Sequence, residues 1–241
     1  MQRNTNSSSM YLKYCQLLHE QWRKGKLDKD DKLNELFDLD FCPEPYFTLK
    51  EGKNPLFMLL TNPGSGMDFQ RRRNSGPDYS SFSQILPTVY LSEKFRKGRG
   101  SNAAYRRLIK SIAFADYLGY DSIVNIETIP FHSSKLPKNK ALNAINFSSV
   151  LTEYHQHLKK YLSDKPVLIV SACSSSKSIS KEVILKSDWL KFQIELAGIQ
   201  LSSLTMRALT KKKEKVTSAL FKGGNKYVVL MMGSNNLPSI D

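Results

Sequence analysis

The chain has 241 residues, 40% hydrophobic and 24% charged, an ordinary balance for a soluble globular protein of one large domain or one domain with a small appendage. Its 36 Lys and Arg against 22 Asp and Glu leave a formal net charge of +14, which favours a polyanionic partner through counterion release and long-range steering. Cys15, Cys42 and Cys173 are odd in number, widely spaced and free of any CxxC or Cys/His pattern, which argues against a disulfide framework and against zinc or iron–sulfur sites.

Residues 1–9 (MQRNTNSSS) read as a disordered tail without the apolar core of a signal peptide. Over 10–24, Met10, Tyr14, Leu17, Leu18 and Trp22 recur at helical spacing and predict a helix packed on the body. A second short helix is predicted over Leu33–Leu39, ending before CPEPY, where Pro43 and Pro45 forbid helix. The segment 10–50 therefore reads as a helical region packed on a single domain spanning 10–241.

Four short apolar runs bounded by turn residues predict buried strands: PLFMLLT (55–61), DSIVNIETI (121–129), KPVLIVSA (165–172) and KYVVLMMG (226–233). Between the first two, SNAAYRRLIKSIAFADYLG offers Ser101 or Asn102 as a cap, carries Tyr105, Leu108, Ile109 and Ile112 at three-and-four spacing, and stops at Gly119. Further helices are expected over 146–163 and 181–197. Alternating strands and helices predict an α/β protein, a three-layer αβα sandwich around a central four-stranded, mostly parallel sheet. No internal repeat, membrane-spanning run or basic amphipathic helix is present in the sequence, so the expectation is a cytoplasmic monomer with no membrane partner.

Open sheets of this kind place their sites at the carboxyl ends of the strands. Those ends are all polar here. The first is Thr61-Asn62-Pro63-Gly64, and the second carries Asn125 and runs into Ile129-Pro130-Phe131-His132-Ser133. The third opens into SACSSSKS, the fourth into Gly233-Ser234-Asn235-Asn236-Leu237-Pro238. Any one of them is ordinary turn chemistry; four at one sheet edge point to a site. Basic runs lie nearby in sequence: Arg71, Arg72 and Arg73; Lys94, Arg96, Lys97 and Arg99; and Lys211, Lys212, Lys213 and Lys215. The connection 65–100 is long, as functional connections are.

In this order the strand ends resemble the uracil-DNA glycosylase superfamily. LTNPG (60–64) is similar to the GINPG motif of its mismatch-specific uracil/thymine branch, with Leu60 in place of the opening glycine. IVNIETIPFHSSKLP resembles the segment whose Asn reads the flipped base, and MMGSNNLPS the loop that enters the minor groove, here without a His. The four-cysteine cluster of some branches is absent.

The resemblance implies a monofunctional DNA glycosylase that flips a base out of single- or double-stranded DNA, hydrolyses its N-glycosidic bond and leaves an abasic site, with no cofactor or metal. Asn62 would hold the attacking water through its amide oxygen, and Gly64, after Pro63, would let the backbone approach the sugar. Asn125 has the donor–acceptor pair needed to read a base edge. His132 would hydrogen-bond the base or a phosphate, or else is a satisfied loop histidine. Phe69, Tyr79 and Phe82 are candidates for stacking on the base, Tyr79 foremost. Ser234, Asn235 and Asn236 would contact the DNA backbone or departing base, and Leu237 would fill the gap left by it. Arg71, Arg72, Arg73, Lys97 and Arg99 would position phosphates.

The departures from the motif suggest a base other than uracil. The resemblance extends to bacterial anti-phage glycosylases that excise glucosylated hydroxymethylcytosine; uracil or a mispaired base is the alternative substrate. Two rivals stand beside the glycosylase: a non-catalytic nucleic-acid-binding module on the same fold, and a nucleoside or nucleotide hydrolase with no need of +14. A nucleophilic role for Cys173 lacks an identifiable base, since His155 and His157 lie on a helix that suggests a packing or solvated role.

Overall fold

Short runs of β-branched and aliphatic residues form the central strands of a seven-stranded mixed sheet, in a computed structural model that describes residues 5–50, 52–61, 109–133, 138–173, 178–233 and 237–238. The strands are β1 (Tyr46–Lys50), β2 (Pro55–Leu60), β3 (Ser122–Glu127), β4 (Val167–Cys173), β5 (Thr205–Lys212), β6 (Lys215–Gly223) and β7 (Lys226–Met232), in the order β1-β3-β2-β4-β7-β6-β5. The four expected strands are β2, β3, β4 and β7, contiguous in the sheet. The expectation of four strands falls short by β1 at one edge and the β5–β6 hairpin at the other.

The registers show how the sheet is assembled. β2 runs parallel to β4 (Phe57↔Val167 to Leu59↔Ile169), and β4 parallel to β7 (Val167↔Lys226 to Cys173↔Met232). β6 then returns antiparallel to β7 (Ser218↔Met231 to Gly223↔Lys226), and β5 antiparallel to β6. Leu56, Val167, Leu168, Ile169, Val228, Val229 and Leu230 are fully buried, as central parallel strands covered on both faces require. β5 is different: it is the edge strand, and most of its residues are exposed.

The chain divides into two compact units, Met1–Tyr46 with Leu60–Ile85 and Ile126–Asp164, and Phe47–Leu59 with Leu86–Asn125 and Lys165–Asp241. Nearly all of the sheet belongs to the second. There, α3 (109–117) stops as predicted at Gly119, whose φ of 87° a side chain would resist. The helix expected over 181–197 is instead two, α6 (Lys181–Leu185) and α7 (Asp188–Leu196). Ser187 breaks them apart, taking φ −116° and ψ 106° and accepting a hydrogen bond from the Leu190 amide at 3.2 Å as an N-cap.

The first unit is helical. α1 (Thr5–Arg23) starts inside the stretch read as a tail, and α2 (Asp31–Leu36) is capped by Asp30, which accepts from the amides of Lys32 and Leu33 at 3.1 Å. It ends three residues earlier than expected because Phe37 turns extended, at φ −126° and ψ 148°. α4 (Lys138–Phe147) and α5 (Ser149–Leu162) complete the unit. Tyr11 of α1 stacks on Tyr161 of α5 with ring centroids 4.9 Å apart, and its hydroxyl lies 3.2 Å from that of Tyr154. The Tyr154 hydroxyl also donates to the Glu127 carbonyl at 2.7 Å. Trp22, fully buried, donates its indole N–H to Leu39 O at 2.7 Å, so both the apolar body and the polar tip of the ring are satisfied.

Candidate functional site

Parallel β2, β4 and β7 present their carboxyl ends at one edge of the sheet in the second unit. β3 follows β2 in sequence and lies on one side of it, while β4 lies on the other. The winding direction therefore reverses between β2 and β4, which in open sheets opens a crevice beyond the carboxyl ends.

Asn125 lies on β3, beside β2, in a strand whose residues are all buried. It is fully buried between Val124 and Ile126, and neither its amide oxygen nor its amide nitrogen has a hydrogen-bond partner among the described residues. Burying an amide in this way costs about 1–3 kcal/mol. A core that needed only volume at this position would be better served by leucine or valine, so the amide calls for a functional account.

In the first unit, the chain past β3 is tied down by its backbone. The amides of Thr128 and Ile129 donate to Leu60 O and Thr61 O at 3.1 and 2.9 Å. Pro130 O accepts from the Glu44 amide at 2.8 Å, and His132 O from the Asp38 amide at 2.9 Å. These bonds bring His132 against Phe41, with ring centroids 5.1 Å apart, and set its Nε2 3.7 Å from Glu44 Oε2. Both side chains are buried, and Glu44 Oε1 has no hydrogen-bond partner among the described residues. Burial pushes the Glu44 carboxyl up to about 8, so it holds its proton at neutral pH. Sequence reading missed Glu44. The signal was an acid inside the otherwise apolar FCPEPYF.

The remaining reactive side chains have packing roles. His155 Nε2 lies 2.6 Å from Thr128 O, and burial lowers its pKa to about 4, so the ring is neutral. His157 stacks on Tyr14 at 4.7 Å. The helix histidines thus behave as expected of a packing face. The Cys173 thiol is raised by burial, which works against the thiolate a nucleophile needs.

Of the residues to which the resemblance gives site roles, Asn125, His132 and Leu237 lie within the described residues. Leu237 is buried rather than presented at the surface. Asn62, Gly64, Phe69, Arg71, Arg72, Arg73, Tyr79, Phe82, Lys97, Arg99, Ser234, Asn235 and Asn236 lie outside them. Among the described residues no group of three His, Cys, Asp or Glu could hold a metal ion, and no helix is long and apolar enough to cross a membrane. Comparison with protein-family models, with curated proteins and with solved structures found no match for this chain.

Proposed function

We propose that the chain is a monofunctional DNA glycosylase of the uracil-DNA glycosylase kind, its sheet covered by helices as a three-layer αβα sandwich. The observation that carries the reading is Asn125: a fully buried amide with neither polar atom partnered among the described residues, on a strand beside the reversal point of the sheet. A flipped base that offers a donor and an acceptor along one edge would satisfy both atoms together. The net charge of +14 supports a nucleic-acid substrate over a free nucleoside.

In this reading Asn62, two residues past the end of β2, holds the water that attacks the sugar carbon. The amide oxygen orients the water without deprotonating it strongly, so much of the rate enhancement must come from stabilising charge on the sugar and departing base. His132 remains the candidate hydrogen-bond partner of base or phosphate. The excised base is proposed to be a modified one, glucosylated hydroxymethylcytosine first, with uracil or mispaired thymine the alternative.

The test is direct. The protein is incubated with DNAs carrying uracil, mismatched thymine and glucosylated hydroxymethylcytosine, and free bases are identified by mass spectrometry. One base should be released, and Asn62→Ala should abolish release while leaving DNA binding intact. Release at full rate from the variant would remove Asn62 from the chemistry. No release from any substrate would sink the glycosylase reading.

A further inference from the structure

The β5–β6 hairpin carries a concentration of positive charge, of which Arg207 and Lys222 lie over the Tyr117 and Tyr227 rings. Residues 205–223 hold Arg207, Lys211, Lys212, Lys213, Lys215 and Lys222 against a single acid, Glu214. Lys211, Lys212 and Lys213 are exposed, and none has an ion pair among the described residues, whereas Lys24, Lys50 and Lys191 elsewhere are paired with Glu20, Asp116 and Asp188.

The local geometry makes this arrangement unfavourable by itself. Lys212 and Lys215 are register partners, two like charges facing each other across an antiparallel pair. Lys213 opens the connecting turn at φ 56°, a left-handed conformation that glycine or asparagine adopts more easily. One or two lysines would suffice to guard an edge strand against pairing. Three exposed at the tip, Lys211, Lys212 and Lys213, exceed that need.

The registers say where the tip lies. β6 runs antiparallel to β7 with Ser218 opposite Met231, so Lys215 falls beyond the carboxyl end of β7. That is the same sheet edge on which β2 and β4 end. Two further bonds fix the base of the tip there: the Ile179 amide donates to Val216 O, and the Val216 amide to Ser178 Oγ, both at 3.1 Å. The chain that returns after β4 is thus tied to the start of β6. Register irregularities between Ala208 and Lys211 add twist to the strand just below the lysines.

We propose that the tip of this hairpin, Lys211 to Lys215, is a docking ribbon for the phosphates of duplex DNA on the edge that carries the candidate site. A row of phosphates would neutralise Lys211, Lys212 and Lys213 and release condensed counterions, with no demand on sequence. The proposal rests on the DNA reading above but not on base release.

The experiment measures binding of the full chain to an unmodified, fluorescein-labelled DNA duplex of about two helical turns by anisotropy, between 50 and 300 mM KCl. Each phosphate contact contributes about 0.9 to the slope of log affinity against log salt, so Lys211→Gln, Lys212→Gln and Lys213→Gln together should flatten that slope by about 2 to 3. Affinity at 100 mM should fall roughly tenfold or more, and the triple Arg variant should restore the wild-type slope, with melting temperatures confirming that all three proteins are folded. An unchanged slope in the Gln variant overturns the proposal, as does a loss confined to an RNA duplex of the same sequence. A flattened slope in a protein that releases no base upholds the ribbon and counts only against the glycosylase.

Discussion

Glu44→Gln isolates a single titration that should be visible in folding stability. In the unfolded chain the carboxyl titrates near 4.5; in the fold it is pushed up to about 8, because burial removes water from it. Between those values the unfolded chain has released a proton that the folded chain keeps. Unfolding is therefore favoured as pH rises: the stabilisation is complete below pH 4.5 and lost by about pH 8. His155 works in the opposite direction and lower down. Its pKa falls from 6.5 to about 4 on burial, so its contribution is complete above pH 6.5 and lost as pH falls towards 4. Glu44 can thus be read between pH 6.5 and 8, clear of His155, where one proton changes stability by about 1.4 kcal/mol per pH unit, roughly 2 kcal/mol in all. Urea unfolding followed by circular dichroism should show the wild type losing stability relative to Glu44→Gln across that window. Parallel stability curves for the two proteins would refute both the burial of the carboxyl and its protonation.

Asn125→Leu should raise stability by about 1 kcal/mol, since it removes two unpartnered polar atoms at similar volume, and lower single-turnover base release by roughly 10- to 100-fold. Destabilisation by several kcal/mol would show instead that the amide is structural. Cys173→Ser should leave base release within a factor of about two, and iodoacetamide should label the wild-type thiol slowly at pH 7. Tyr154→Phe takes the hydroxyl from the Glu127 carbonyl and from Tyr11, and should cost about 1–3 kcal/mol by thermal unfolding.

The strands buried on both faces were plain in the sequence, because β2, β3, β4 and β7 are short, mainly apolar runs bounded by turn residues. β5 and β6 were not. Their exposed face carries Thr and Lys, and KKKEK reads as a basic run before it reads as a turn between two strands. The break between α6 and α7 had a local signal in Ser187-Asp188, a cap followed by a first-turn acid, lost in the hydrophobic period on either side. At the candidate site Asn125 stood out as the polar interruption of SIVNIE. Glu44 did not, since its raised pKa arises from burial against Phe41 and His132, the latter far along the chain. Burial of that kind is a tertiary property that local pattern does not carry.

The parallel pairing of β2 with β4 also bears on how the molecule is made. Phe57 finds its register partner Val167 only after roughly 110 further residues, about 5 to 20 s of synthesis at ordinary ribosomal rates. Throughout that interval PLFMLL is an apolar segment without the neighbour that will cover one of its edges. β5, β6 and β7 need no such delay, since each pairs with the next through a short turn. The nascent chain should therefore depend on chaperones most between the emergence of β2 and that of β4, with the carboxyl-terminal meander closing quickly once it is free of the ribosome.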